Sequence, residues 1–191
     1  PDGDENLRNE GVADNRIERV GNIMLDSFEL MRARIEADET AQSLGLLGEQ
    51  YAVVTLHRPA NVDSKDSLNI LCDQLTKAAR ELDLVFPIHP RTRKSLINHG
   101  LIDALDSNPS IHLIEPLSYI QFMNLVSGAT MAITDSGGLQ EETTYLGIPC
   151  LTLRPNTERP ITLTQGTNRL VVPGDLLRNV KEVLNGGWPA G

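Results

Sequence analysis

The stretch Ala129-Thr130-Met131-Ala132-Ile133-Thr134-Asp135-Ser136-Gly137-Gly138-Leu139-Gln140-Glu141-Glu142 organises the reading of the whole chain. Ala129 to Ile133 is a short apolar run of the kind that forms a buried strand. Leu139 to Leu146 reads as a helix. The two adjacent glycines at the start of that helix leave backbone N–H groups uncovered by any Cβ, and those donors have no partner within the helix. The helix dipole adds partial positive charge at the same place. A strand, a Ser-Gly-Gly turn and a helix N-terminus together make a candidate phosphate seat, to which Ser136 adds a hydroxyl. Glu142 lies about a turn and a half further on, where its carboxylate can accept hydrogen bonds from a sugar diol. The combination points to a nucleoside diphosphate with its ribose. The same residues also fit a plain tight turn with a serine cap, since a glycine pair by itself is a weak motif.

Outward from this point, strand and helix alternate. Tyr51 to Leu56, Leu84 to Ile88, Ile111 to Ile114, Cys150 to Leu153 and Arg169 to Val172 are short β-branched or apolar runs. Between them Ser67 to Leu82 carries Leu68, Leu71, Leu75 and Ala78 on one stripe. Thr92 to Asn98 is a short helix, Ser118 caps a helix carrying Ile120, Phe122 and Met123, and Asp175 to Leu184 is the last helix. Such alternation with short connections predicts βαβ units and an α/β fold: a Rossmann-like, three-layer parallel sheet with helices on both faces. Upstream, Glu5 to Gly11 reads as a short helix, Arg16 to Val20 as a strand, and Ile23 to about Leu44 as a helix that breaks at Gly45 and Gly48. Residues 1–16 contain no core of their own.

The 191 residues suffice for one sizeable core plus an extension. A net charge of −9 argues against nucleic acid or an anionic membrane as partner. No apolar run reaches the ~20 residues of a membrane helix. The two cysteines, Cys72 and Cys150, sit in core patterns and fit reduced thiols in a cytoplasmic protein. The chain begins with Pro1 on a polar stretch, as a piece of a longer protein would.

In a parallel sheet, ligands bind beyond the carboxyl ends of the strands. His57 and Arg58, His89 and Arg91, Glu115, Asp135 and Ser136, and Arg154 all fall at such ends, so the fold brings these sequence-distant groups onto one edge. Either histidine alone reads as a structural residue, but the pair at two strand ends reads as part of a site. His99 and His112 read as surface or packing residues. Arg159, in Thr157-Glu158-Arg159-Pro160, is placed on the rim of the Ser-Gly-Gly turn, where a second diphosphate ligand is useful. No His, Cys and Asp set has metal-ligand spacing, and there is no Walker A sequence or G-x-G-x-x-G.

Five stretches in order carry a family resemblance: Thr55 to Asp63, Phe86 to Thr92, Glu115 to Tyr119, Thr134 to Glu142, and Thr157 to Pro160. Together they resemble the non-hydrolysing UDP-N-acetylglucosamine 2-epimerases from Arg16 to about Leu184. The resemblance implies the C-terminal half of a glycosyltransferase-B type fold. Residues 1–16 would then be the tail of the first domain and 17–191 the UDP-binding domain. It further implies that Ser136, Gly137 and Gly138 hold the diphosphate and that Glu142 holds the ribose. His57 would be the catalytic-region histidine beside the diphosphate, with Arg58 and His89 around the nucleotide sugar and Arg159 on the rim. Ala60 stands where many members carry an acidic residue.

The implied reaction interconverts UDP-GlcNAc and UDP-ManNAc. UDP leaves C1 while a base removes the C2 proton, and UDP adds back after protonation of C2 on the opposite face. It needs no cofactor and no metal. The implied partners are UDP-GlcNAc or UDP, the N-terminal domain of the same protein and, at full length, a second copy in a homodimer. The carboxylates acting at C2 belong to the first domain, so the chain by itself is expected to bind UDP weakly and not to epimerise. A UDP-sugar glycosyltransferase, a non-catalytic nucleotide-sugar module and a hydrolysing epimerase remain alternative readings of the same residues.

Overall fold

In the computed structural model, which describes residues 2–189 and 191, six strands form one parallel sheet. They are β1 (Tyr51–Thr55), β2 (Asp83–Pro87), β3 (Ile111–Ile114), β4 (Met131–Thr134), β5 (Cys150–Thr152) and β6 (Asn168–Leu170), in the order β3-β2-β1-β4-β5-β6. Every neighbouring pair is parallel, with Ala52 opposite Met131 and Thr55 opposite Thr134 where β1 meets β4. The chain winds outward from β1 to β3, then crosses back to β4 beside β1 and winds out the other way. A crevice therefore opens beyond the ends of β1 and β4, where the winding direction reverses.

Eleven helices accompany the sheet among the described residues: α1 (Asp2–Asn9), α2 (Ile23–Glu36), α3 (Thr40–Ser43), α4 (Pro59–Val62), α5 (Lys65–Ala78), α6 (Pro90–Asn98), α7 (Ile102–Asp106), α8 (Tyr119–Gly128), α9 (Gly137–Leu146), α10 (Pro160–Thr164) and α11 (Leu176–Leu184). The period of two in β1 divides the core. Ala52 and Val54 join Leu68, Leu71 and Leu75 of α5 and Val180 of α11 on one face. Tyr51 and Val53 join Phe28 of α2, Met123 of α8 and Leu139 of α9 on the other. Both faces of the sheet are thus covered, which is why its strands read as continuous apolar runs. Cys72 and Cys150 are buried and unpaired in these cores, where burial pushes each thiol up to about 11.

The predicted strands and most helices are present, with shifted ends. Three upstream expectations change. The first helix starts earlier, at Asp2. Arg16 to Val20 is not a strand: Asp14–Arg16 is a single 3-10 turn, the edge positions of the sheet belong to β3 and β6, and Val20 is 84% exposed. The long helix from Ile23 divides after Glu36, because Asn124 of α8 donates to the carbonyls of Ile35 (3.0 Å) and Asp38 (2.8 Å) and accepts from Ala41 N (3.0 Å). One side chain thereby replaces a turn of helical hydrogen bonds. Gly45 and Gly48 do end this region, with φ of +72° and +82°.

α8 begins with a capping box between Ser118 and Gln121, as the serine predicts. At its other end the buried Tyr51 hydroxyl of β1 donates to the Leu125 carbonyl at 2.6 Å. Gly128 makes room for it, since a Cβ there would come within 2.8 Å of the hydroxyl oxygen. Tyr51→Phe removes the donor while keeping the ring. It is expected to lower the unfolding free energy by about 1 kcal/mol, measured by urea denaturation.

Candidate functional site

The site begins with a buried carboxylate. Asp135, 0% exposed, directly follows β4. Its Oδ2 accepts from Arg58 N (2.8 Å) and Asn61 Nδ2 (3.0 Å), and both of its oxygens lie 3.1 Å from His57 N. His57 Nδ1 is 3.0 Å from Asp135 Oδ1. The main-chain carbonyl of Asp135 accepts from Arg58 Nε at 2.9 Å. The exits of β1 and β4 are thus tied together, and both the backbone and the side chain of His57-Arg58 are fixed. A proton on Nδ1 of His57, held by Asp135, leaves Nε2 as the nitrogen that can accept or deliver a proton.

His89 stands beside His57, with ring centroids 5.6 Å apart. Its Nδ1 accepts from Arg91 N at 3.1 Å as the N-cap of α6, so its neutral ring carries the proton on Nε2. The histidine pair anticipated at two strand ends is therefore assembled. Arg91 and Glu115 take no part in it: Arg91 pairs with Asp63 (2.6 Å) and Glu115 with Arg93 (2.8 Å). His99 and His112 make only peripheral contacts, to the Asp63 carbonyl and to Asp83.

Ser136, Gly137 and Gly138 form the N-terminus of α9, which begins at Gly137. The Ser136 side chain makes no capping bond; its N–H donates instead to Thr134 Oγ1 at 2.9 Å. Ser136 lines a cavity of about 220 Å³ together with Gly138, Tyr119, Phe122 and Glu142. Glu142 is 5% exposed and accepts from the Tyr119 hydroxyl at 2.9 Å. Burial pushes its carboxyl above the ordinary 4.5; the Tyr119 hydrogen bond opposes that rise, and neighbouring Glu141 adds to it.

The third wall is the loop after β5. Arg154, at the end of that strand, has its side chain 8% exposed, and Nη2 pairs with Glu158 Oε2 at 2.6 Å. Its Nη1 is buried without a hydrogen-bond partner among the described residues and lies 3.8 Å from where a Cβ on Gly137 would stand. The Glu158 carboxylate lies directly over Gly137 and would collide with that Cβ. Arg58 Nη2 approaches its Oε1 at 3.9 Å. Arg154 holds the Glu158 carboxyl down at about 2, with a further pull from its own backbone N–H and from Arg58. Arg159, expected on the rim of the turn, has Nε 3.5 Å from Glu141, one helical turn along α9. It faces a cavity of about 710 Å³ that also touches α1 through Asp4 and the segment before α2 through Arg19 and Asn22.

Gln140 positions the loop. Its Nε2 donates to the Ser136 carbonyl (2.9 Å), and its Oε1 accepts from Thr157 (2.6 Å) and Asn168 (2.9 Å). Thr157 Oγ1 in turn accepts from Arg159 N at 3.0 Å. Tyr119 and Gln140 are residues of this region to which sequence reasoning gave no role, and Arg154 was counted among the converging strand-end groups without one. Tyr119 and Gln140 lay inside quoted motifs. No group of three or more His, Cys, Asp or Glu able to hold a metal occurs among the described residues. No described helix is long and apolar enough to cross a membrane.

The arrangement is a glycine turn at a helix N-terminus, with arginines over it and a carboxylate-walled cavity beside it. The family model for UDP-N-acetylglucosamine 2-epimerase matches residues 1–187. The chain belongs to the UDP-N-acetylglucosamine 2-epimerase family. The epimerase of Methanocaldococcus jannaschii is 40% identical over 189 residues, covering 94% of this chain and 51% of the relative. That of Methanococcus maripaludis is 38% identical over 186 residues, with the same shares. A crystal structure of the M. jannaschii epimerase in complex with UDP-GlcNAc and UDP superposes with a TM-score of 0.86 at 37% identity. It covers 97% of this chain and 53% of that one. The chain spans about half the length of the curated relatives it matches, and it corresponds to the C-terminal domain of this epimerase family, one half of a glycosyltransferase-B type fold.

Two outcomes test the site's electrostatics. Asp135→Asn replaces one acceptor oxygen with an amide that faces N–H donors, and is expected to cost about 3 kcal/mol of stability in urea denaturation. For Glu142 the folded carboxyl titrates above its unfolded value. Its contribution is therefore full below about 4.5 and is lost as pH rises through the folded value. Glu142→Gln has no such proton to lose. Its stability relative to wild type should rise between pH 4 and pH 7, and a relative stability that falls over that range would contradict the burial argument.

Proposed function

We propose that this chain is the nucleotide-holding domain of an enzyme that interconverts UDP-GlcNAc and UDP-ManNAc. The observation that carries this reading is the glycine turn at the start of α9, flanked by Arg58 and Arg154 and opening beside the Glu142 cavity. Gly137 and Gly138 present backbone N–H groups to the diphosphate, Ser136 adds its hydroxyl, and Glu142 accepts from the ribose diol. His57, oriented by Asp135, stands beside the leaving group and can donate from Nε2 as negative charge develops on the departing UDP. Arg58 and His89 line the nucleotide-sugar cleft, and Arg159 serves its rim. The M. jannaschii relative, crystallised with UDP-GlcNAc and UDP, supports this choice of ligand.

In the reaction, the C1–O bond to UDP breaks as the C2 proton is removed, leaving a C1–C2 double bond. Protonation of C2 on the opposite face and return of UDP to C1 complete the inversion. The chain's own residues serve the leaving group. Its carboxylates near the seat are engaged: Asp135 by N–H donors, Glu142 by Tyr119, Glu141 by Arg159 and Glu158 by arginines. The acid and base at C2 come from another domain, as the family resemblance implies. In this reading residues 1–16 are the end of that domain and 17–191 the UDP-binding unit. The whole protein is a cytoplasmic homodimer that uses no cofactor.

Titration of the chain with UDP tests the reading. Wild type is expected to bind, Gly137→Asp to lose binding, and Glu142→Ala to bind about tenfold more weakly, as for loss of a hydrogen bond to a charged acceptor. Unchanged affinity in both variants would remove the seat from the nucleotide. NMR of UDP-GlcNAc incubated with the chain should show no UDP-ManNAc; its formation would place a complete acid–base set within these residues.

A further inference from the structure

The seat at the start of α9 already contains an anion. The Glu158 carboxylate occupies the space over Gly137, bound to Arg154 on one side and approached by Arg58 on the other. A diphosphate resting on the Gly137 and Gly138 N–H groups would need the same volume and the same guanidinium groups. Two anions so close repel in a partly desolvated pocket. Only one can be seated.

The surroundings favour an exchange of side chains over a rearrangement of the loop. Thr157 and the Arg159 N–H, on either side of Glu158, are anchored through Gln140. The Glu158 side chain is itself 49% exposed, so rotation about its own bonds carries the carboxylate into solvent. Arg154 stays behind: its side chain is nearly buried, and Nη1 is a donor without a partner aimed at the turn. A second anion on Gly137 would give that donor its acceptor and take over Nη2 from Glu158.

We propose that Glu158 is an internal competitor for the diphosphate seat, a carboxylate that pairs with Arg154 over Gly137 and is displaced by the incoming pyrophosphate group of the nucleotide. The proposal rests on the nucleotide reading above for the identity of the ligand, but not for the existence of the exchange. Glu158 then determines affinity: the measured constant is the intrinsic one divided by the fraction of molecules in which the carboxylate has left the seat.

The test is calorimetric titration of the chain and of Glu158→Gln, at one ionic strength, with inorganic pyrophosphate, UDP and uridine. Glu158→Gln is expected to bind pyrophosphate and UDP on the order of tenfold more tightly, with uridine, which has no anion, unchanged. Arg154→Met should weaken pyrophosphate and UDP and leave uridine alone. Unchanged or weaker pyrophosphate binding by Glu158→Gln overturns the exchange, even if UDP binds the wild type. Pyrophosphate binding that follows Glu158 while UDP gains nothing over pyrophosphate supports the exchange and removes the nucleotide reading. No anion binding by any form overturns both.

Discussion

The structure depends on one carboxylate with no exposed surface. Asp135 stands where β4 ends, and its oxygens collect the main-chain N–H groups of His57 and Arg58, the Asn61 amide and the His57 ring. A buried charge is costly unless it is hydrogen-bonded, and here the donors come almost wholly from the exit of β1. That requirement bends the chain after β1 against the chain after β4. It also holds Arg58 beside the glycine turn two residues further on. The same satisfied charge thus supplies fold geometry and site geometry.

A second network does for the far wall what Asp135 does for the near one. Gln140, in the first turns of α9, bonds back to Ser136 and outward to Thr157 and Asn168. Asn168 begins β6 and also meets Thr152 of β5 and Thr162 of α10. The loop bearing Arg154 and Glu158 is therefore referenced to the helix it faces, and its charged side chains move against a fixed backbone. Buried polar networks of this kind hold shape when every member is satisfied.

Much of this was legible in the sequence. The strands were visible because a sheet covered on both faces needs uninterrupted apolar runs, and Tyr51 to Leu56 and Ala129 to Ile133 supply them. The convergence of His57, His89 and Ser136 followed from parallel strands sharing one carboxyl edge. Less visible was anything set by long-range partners. The break after Glu36 depends on Asn124, some 90 residues away, and the pairing of Arg91 with Asp63 removed it from a site its neighbour His89 joined. Arg16 to Val20 has strand-like residues but pairs with no strand of the sheet. Arg154 and Arg159 were separable only by geometry, since both sit on one short loop and only one reaches Gly137.

The order of the strands has a kinetic meaning. β1 pairs with β2 across α4 and α5, but Ala52 pairs with Met131 across the whole first winding and α8. Loop closure of that length comes late, and contacts of high sequence separation slow folding. Asp135 and His57 face each other across that late joint. The charged seat therefore requires β1 and β4 to be paired. An anion that binds there binds only the chain in which both windings have met and, by mass action, stabilises that state.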